Sequence, residues 1–136
     1  MKTLKVLLIE DDPKEVENIK KGFAKADDIK IVGVADGQTD AIYMLKRERP
    51  DVVIVDITLR EGHGAVFVSQ LFEQAHLDYK PKVIVVTQTQ SDELHDMLYS
   101  HGVSYIFGKY EEDYSVDLIL EFLREIYDDI PRLRLI

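Results

Sequence analysis

Short apolar runs alternate with segments of helical periodicity along almost the whole chain. Leu4-Lys5-Val6-Leu7-Leu8-Ile9 reads as a first strand. Asp12-Pro13-Lys14-Glu15 then opens a helix: Asp12 can cap it, Pro13 suits the first helical position, and Glu15 completes a capping box. Val16, Ile19 and Phe23 fall on one helical face. Ile29 to Ala35 predicts a second strand. Asp36-Gly37 makes a turn, and Ala41, Met44 and Leu45 mark the inner face of a second helix. Pro50 stops that helix and introduces Asp51-Val52-Val53-Ile54-Val55-Asp56. This run, apolar on both faces, fits a central parallel strand ending in one carboxylate. Gly62-His63-Gly64 leads into a third helix, with His63 expected in the loop and Phe67, Val68, Leu71, Phe72 and Ala75 facing inward. Pro81 introduces a fourth strand, Lys82 to Thr87. Ser91 can cap a fourth helix that turns Leu94, Met97 and Leu98 inward and stops at Gly102. Val103 to Phe107 predicts a short fifth strand. Leu118, Ile119, Phe122, Leu123 and Ile126 predict the apolar face of a fifth helix. Five βα units with short joins imply a parallel sheet, helices on both faces and right-handed crossovers.

The length, 136 residues, is about one domain, and 46% hydrophobic residues suit a globular core. One folded unit over 1–127 and a tail over 128–136 are the expected division; the apolar tail residues Leu133, Leu135 and Ile136 could dock on a neighbour. No cysteine is present, so disulfides and thiolate metal sites are excluded, which fits a reducing cytoplasm. No apolar run approaches the roughly 20 residues that span a bilayer, and no cleavage site follows the N-terminus. A net charge of −9 without a strongly basic segment argues against direct nucleic-acid binding.

The chemistry collects at the strand ends. The first strand is followed by Glu10-Asp11-Asp12, the third ends in Asp56, the fourth in Thr87, and Lys109 follows the fifth. Open α/β sheets hold ligands at the carboxyl ends of their strands. If these strands are neighbours, several carboxylates meet there, and they repel one another unless a cation joins them. All-oxygen ligands favour a hard divalent ion; Mg²⁺ suits a site with few carboxylates because it keeps waters and takes phosphate oxygens. A carboxylate such as Asp56 can then attack a phosphoryl donor, with the Lys109 ammonium and the Thr87 hydroxyl stabilising the phosphoryl oxygens. Each feature also has a plain alternative. Acids favour any helix start, Thr87 is a good strand residue, and Lys109 could be an ordinary surface lysine.

These stretches together resemble the receiver (response-regulator) domain of two-component signalling, over about residues 4 to 126. The similar segments are Val6 to Asp12, Asp51 to Leu59 with Gly64, Val83 to Thr87, and Gly102 to Lys109. The resemblance implies a flavodoxin-like, doubly wound five-stranded parallel sheet in order 2-1-3-4-5 with five helices, a family that serves as an example of that strand order. It implies phosphotransfer to Asp56 from a histidine kinase or a phosphotransfer protein. It makes Asp11, Asp56 and the Thr58 carbonyl Mg²⁺ ligands, with Glu10 acting through water. It also implies a phosphoacceptor switch rather than an enzyme, with output through a separate protein on the face of the fourth helix, fifth strand and fifth helix. A homodimer is compatible with it.

Three positions depart from the family pattern. Gln88 follows Thr87, where a small residue is usual, and predicts slower phosphorylation. Ile106 stands where an aromatic switch residue is usual, between Tyr105 and Phe107. Tyr110 replaces a proline after Lys109, which predicts a trans bond or a reshaped loop. Arg60 stands where a proline is common. These departures keep a second reading open, a phosphorylation-independent interaction module on the same fold. A small phosphohydrolase is a third reading, for which Thr58 is the wrong residue to serve as acid or base.

Overall fold

As a computed structural model, the protein is described over residues 3–57 and 63–126, with backbone only at 63–65. Ten elements alternate: β1 (Leu4–Ile9), α1 (Pro13–Phe23), β2 (Ile29–Ala35), α2 (Gln38–Glu48), β3 (Val52–Ile57), α3 (His63–Ala75), β4 (Lys82–Thr87), α4 (Asp92–Ser100), β5 (Tyr105–Gly108) and α5 (Val116–Glu125). The strands form one sheet in the order β2-β1-β3-β4-β5. Every neighbouring pair is parallel. The order reverses beside β1, so the crevice between the ends of β1 and β3 is the topological switch point, where such sheets bind ligands.

The helix boundaries follow from local chemistry. Asp12, Ser91 and Ser115 each accept a backbone N–H from the first turn of α1, α4 and α5. Arg49 ends α2 in the left-handed region, at φ 47°, immediately before Pro50. Gly102 follows α4 at φ 92°, a conformation glycine adopts without a Cβ penalty.

Two cores sandwich the sheet. Val53, Val55 and Ile57 of β3 pack with Leu71, Leu94, Leu98 and Ile106 on one face. Val52 and Ile54 pack with Ile19, Phe23, Ile119 and Leu123, from α1 and α5, on the other. Each fully buried Leu, Ile or Val stabilises the fold by roughly 1.5–3 kcal/mol relative to exposure. The alternation has a direct consequence for function. Asp56 continues the Val52–Ile54 series, Glu10 continues Val6–Leu8, and Lys109 continues Tyr105–Phe107. All three therefore project toward the α1–α5 side of the sheet.

Four local expectations are corrected. Met97 is 38% exposed rather than inward, because Leu94 and Leu98 alone fill the contact of α4 with the sheet. The fifth strand begins at Tyr105, two residues late, and runs to Gly108. Before it, Ser104 already donates to the Val83 carbonyl. His63 is the first residue of α3 rather than part of a loop. Glu15 does not complete a capping box. The Asp12 N–H it was expected to receive goes instead to Glu10 Oε1, at 2.9 Å, and Glu15 turns elsewhere. Thr58, Arg60, Gly62 and the 128–136 tail lie outside the described residues.

Gly22 marks the tightest helix contact. A Cβ there would lie 2.4 Å from Val116 Cγ1, across the α1–α5 interface. Gly22→Ala is expected to destabilise the fold by about 1–2 kcal/mol, overpacking outweighing the gain in helix propensity. Urea denaturation checks it. The same substitution in a Val116→Ala background should cost clearly less, and equal costs in both backgrounds would refute the contact.

Candidate functional site

Asp56 is the penultimate residue of β3, and its side chain is 0% exposed. Ionised carboxylates in such a place are costly unless charged or hydrogen-bonded partners meet them. Asp51, at the other end of the same run, shows the ordinary solution: it is 1% exposed and accepts the Lys5 N–H at 2.8 Å. Asp56 differs. Among the described residues, neither of its oxygens has a hydrogen-bond partner of good geometry. What faces it is charge, since Lys109 Nζ lies 2.8 Å from Asp56 Oδ2.

Lys109 reaches Asp56 because its backbone is held to the neighbouring strand. Its N–H donates to the Thr87 carbonyl at 2.7 Å, where β4 and β5 end. Burial alone would push the ammonium pKa down. The contacts with Asp56 and Glu15 outweigh it, and the pKa lies above its ordinary value. Glu15 Oε2 sits 2.8 Å from the same Nζ, so one ammonium serves two carboxylates.

Glu10 completes the cluster from β1. It is 3% exposed, and its Oε2 also lacks a partner among the described residues. Burial first, and then the contact with Asp56, pushes its pKa up to about 8. Asp11 beside it is exposed. Glu10 Oε2 and Asp56 Oδ1 thus stand without partners among the described residues, Asp56 Oδ2 faces only the Lys109 ammonium, and Asp11 lies beside them. That is the donor set a hard divalent cation takes, and a cation would replace the proton that Glu10 otherwise retains. Among the described residues no three carboxylate or imidazole side chains are grouped so as to hold a metal ion by themselves.

The remaining expected residues sort by position. Thr87 is fully buried at the end of β4, and its Oγ1 accepts the Thr89 N–H at 3.0 Å. A hydroxyl that accepts there keeps its own hydrogen to donate. Its alternation puts it on the α3–α4 side of the sheet, unlike Asp56 and Lys109. Gln88 is exposed in the bend that follows. Ile106 is 8% exposed and packs with Leu94, Leu98 and Val103. Its aromatic neighbours point the other way: Tyr105 stacks on Phe122 with centroids 4.7 Å apart, and Phe107 meets the same ring edge-on at 5.8 Å. No peptide bond is cis among the described residues, so Tyr110 follows Lys109 through a trans bond. The Tyr110 ring covers Gly108, where a Cβ would come within 2.5 Å of Cζ, and its hydroxyl lies 3.4 Å from His95 Nε2 on α4.

Glu15 was expected only as a capping residue. The signal that could have found it is its place in the first turn of the helix leaving the acidic strand end, which α1 brings over the face toward which Lys109 projects. Tyr114 also lies close by. Burial pushes its pKa up to about 12, against the pull of the Lys109 ammonium.

Comparison with known proteins places this geometry. The response regulator receiver domain model matches residues 6–119. The chain is 31% identical over 84 residues to the transcriptional regulatory protein BtsR of Salmonella typhi, covering 62% of this chain and 34% of that protein. It is 26% identical over 125 residues to the sensory transduction protein LytT of Bacillus cereus, covering 90% and 48%. The chain thus spans about a third to a half of the length of these relatives. The signal receiver domain of NarL from Mycobacterium tuberculosis superposes with a TM-score of 0.75 at 18% identity, covering 92% of this chain and 96% of that one. The isolated receiver domain of RcsB from Salmonella enterica serovar Typhimurium, solved with the phosphomimetic BeF₃⁻, gives 0.73 at 16% identity, covering 90% and 89%. With the family model spanning most of its length and the strand order of that fold, this chain belongs to the response regulator receiver domains of two-component signalling.

Proposed function

We propose that Asp56 is the phosphoacceptor of this receiver domain. One observation carries the assignment: a fully buried carboxylate stands at the switch point, and among the described residues its charge is met by a single ammonium, 2.8 Å away. A receiver domain is a phosphoacceptor switch, and its phosphoryl donor is a phosphohistidine on a histidine kinase or phosphotransfer protein. One Asp56 oxygen forms the new P–O bond as the donor P–N bond breaks, the electron pair leaving on the imidazole. Lys109 holds positive charge against the phosphoryl oxygens, and the Thr87 hydroxyl is assigned as a donor to them, for which it has to turn from the α3–α4 side toward Asp56. Asp11, Asp56 and the Thr58 carbonyl would hold Mg²⁺, with Glu10 acting through water; the orphaned Glu10 and Asp56 oxygens support this assignment. Bound there, the metal supplies charge neutralisation for the phosphoryl group.

The receiver unit is assigned to 1–127 and 128–136 to a tail. Output is assigned to a separate protein on the α4–β5–α5 face, where Met97, Tyr99 and Tyr105 are 38%, 46% and 41% exposed. Self-association through that face is the homodimer alternative. No described helix is long and apolar enough to cross a membrane, and we assign the chain to the cytoplasm without direct nucleic-acid contact. Gln88, exposed beside Thr87, is assigned to phosphoryl access. Ile106 and Tyr110 replace the usual switch parts. The contact of Tyr110 with both Gly108 and His95 supports a route from the Lys109 loop to α4. The same contact, if it never changes, favours the phosphorylation-independent module.

Incubation with acetyl phosphate and Mg²⁺ is expected to add the mass of one phosphoryl group to the wild type and none to Asp56→Asn. Equal modification of both proteins rejects Asp56 as acceptor; none in either favours the module. A second expectation concerns pH. A carboxyl raised from 4.5 to about 8 holds its proton more tightly folded than unfolded. The stability it contributes is complete below the unfolded value and lost as pH rises through the folded one. In EDTA, Tm should therefore fall between about pH 5 and pH 8 more steeply in wild type than in Glu10→Gln. Mg²⁺ should restore part of the wild-type loss at the upper end, and parallel profiles would count against the protonated Glu10.

A further inference from the structure

Lys109 is committed twice, and the second commitment lies outside the phosphoacceptor reading on which this inference rests. Glu15 Oε2 and Asp56 Oδ2 each lie 2.8 Å from Lys109 Nζ, whose side chain is only 9% exposed. The Glu15 side chain is only 30% exposed, so solvent and salt screen its charge less than they would at the open surface. Glu15 is free to make this contact because Glu10 Oε1 already satisfies the Asp12 N–H that a capping glutamate would bind. It stands in the first turn of α1, directly over the side of the sheet toward which Asp56 and Lys109 project.

We infer that Glu15 is a competing carboxylate that limits the affinity of the Asp56 site for a phosphoryl group, by drawing on the Lys109 ammonium that the group needs. Glu15 is a positioning residue here and touches no substrate. Two effects oppose each other. The ion pair fixes Lys109 in front of Asp56, which helps. It also divides one positive charge between two carboxylates and brings a further negative charge to a site that must accept several anionic oxygens. The charge effect dominates. A neutral acceptor on the same stem could still hold the ammonium by a hydrogen bond, but it would not repel the incoming anion. Phosphorylation then has to pull Lys109 away from Glu15, which ties the state of Asp56 to the first turn of α1.

The discriminating variant is Glu15→Gln, which keeps a carbonyl oxygen for the Lys109 ammonium and removes only the charge. The probe is beryllofluoride with saturating Mg²⁺, a phosphoryl mimic, titrated by calorimetry or NMR against the intact protein. Glu15→Gln is expected to bind it about tenfold more tightly than wild type. Glu15→Ala, which also loses the anchor, should gain less. A purely structural Glu15 would shift Tm and leave the binding constant alone, so Tm is measured alongside. In the unmodified protein, the Glu15 side-chain carboxyl ¹³C resonance should move on saturation with beryllofluoride, as its ion pair with Lys109 opens; this readout does not depend on any variant. Equal or weaker binding by Glu15→Gln, or a stationary Glu15 resonance in wild type that binds the probe, overturns the competing role and leaves Asp56 as acceptor untouched. Failure of both wild type and Glu15→Gln to bind overturns the acceptor assignment itself, and this inference with it. Binding by Glu15→Gln alone would be the strongest support.

Discussion

The site depends on a buried carboxylate whose charge is met by one ammonium. Asp56 is carried to the end of β3 by a run of Val and Ile that is buried on both faces, so its position follows from the hydrophobic core rather than from its own bonds. Moving such a charge out of water is opposed by several kcal/mol unless it is compensated. Lys109 supplies that compensation from another strand end, and Glu10 lessens the repulsion by keeping a proton well above the usual carboxylate range. The arrangement is poised. In the function proposed above, a divalent cation and a phosphoryl group would meet at this pair of acids.

The sheet makes this convergence possible without any loop having to reach far. The order β2-β1-β3-β4-β5 puts the end of β1 beside β3, and it puts β4, with β5 next to it, on the other side. The period of two along each strand then decides which side chains share a face. Glu10, Asp56 and Lys109 fall on the α1–α5 side, and Ile106 and Thr87 on the other. One consequence is that Ile106, though placed where an aromatic switch residue is usual, is a core residue between β5 and α4. The aromatic surface formed by Tyr105, Phe107 and Phe122 belongs to the opposite layer.

Much of this was legible in the residues. The apolar runs mark all five strands, and with them the position of Glu10, Asp11, Asp56, Thr87 and Lys109 at or just past the strand ends. Burial from both sides and a change of period leave strong local marks. The inward placement of Met97 failed because a helix of nine residues presents few positions to the sheet, and Leu94 and Leu98 occupy them. The start of β5 is not legible locally because Val103 is apolar and buried, yet it lies just past the turn at His101 and Gly102, with its N–H still bonded to the Leu98 carbonyl of α4.

Glu15 marks the boundary between the two kinds of information. Its rank in the helix, three residues after the cap, is a property of the local sequence, and by that rule it should have turned back to the Asp12 N–H. Its actual partner, Lys109, is 94 residues away. Local sequence determined the elements, the central strand and the acids at its rim, since those follow from propensity and pattern over a few residues. Only the tertiary fold decided that one ammonium would stand between Asp56 and Glu15. That choice depends on which helix covers which face of the sheet, and on a neighbouring glutamate having already taken the local hydrogen bond.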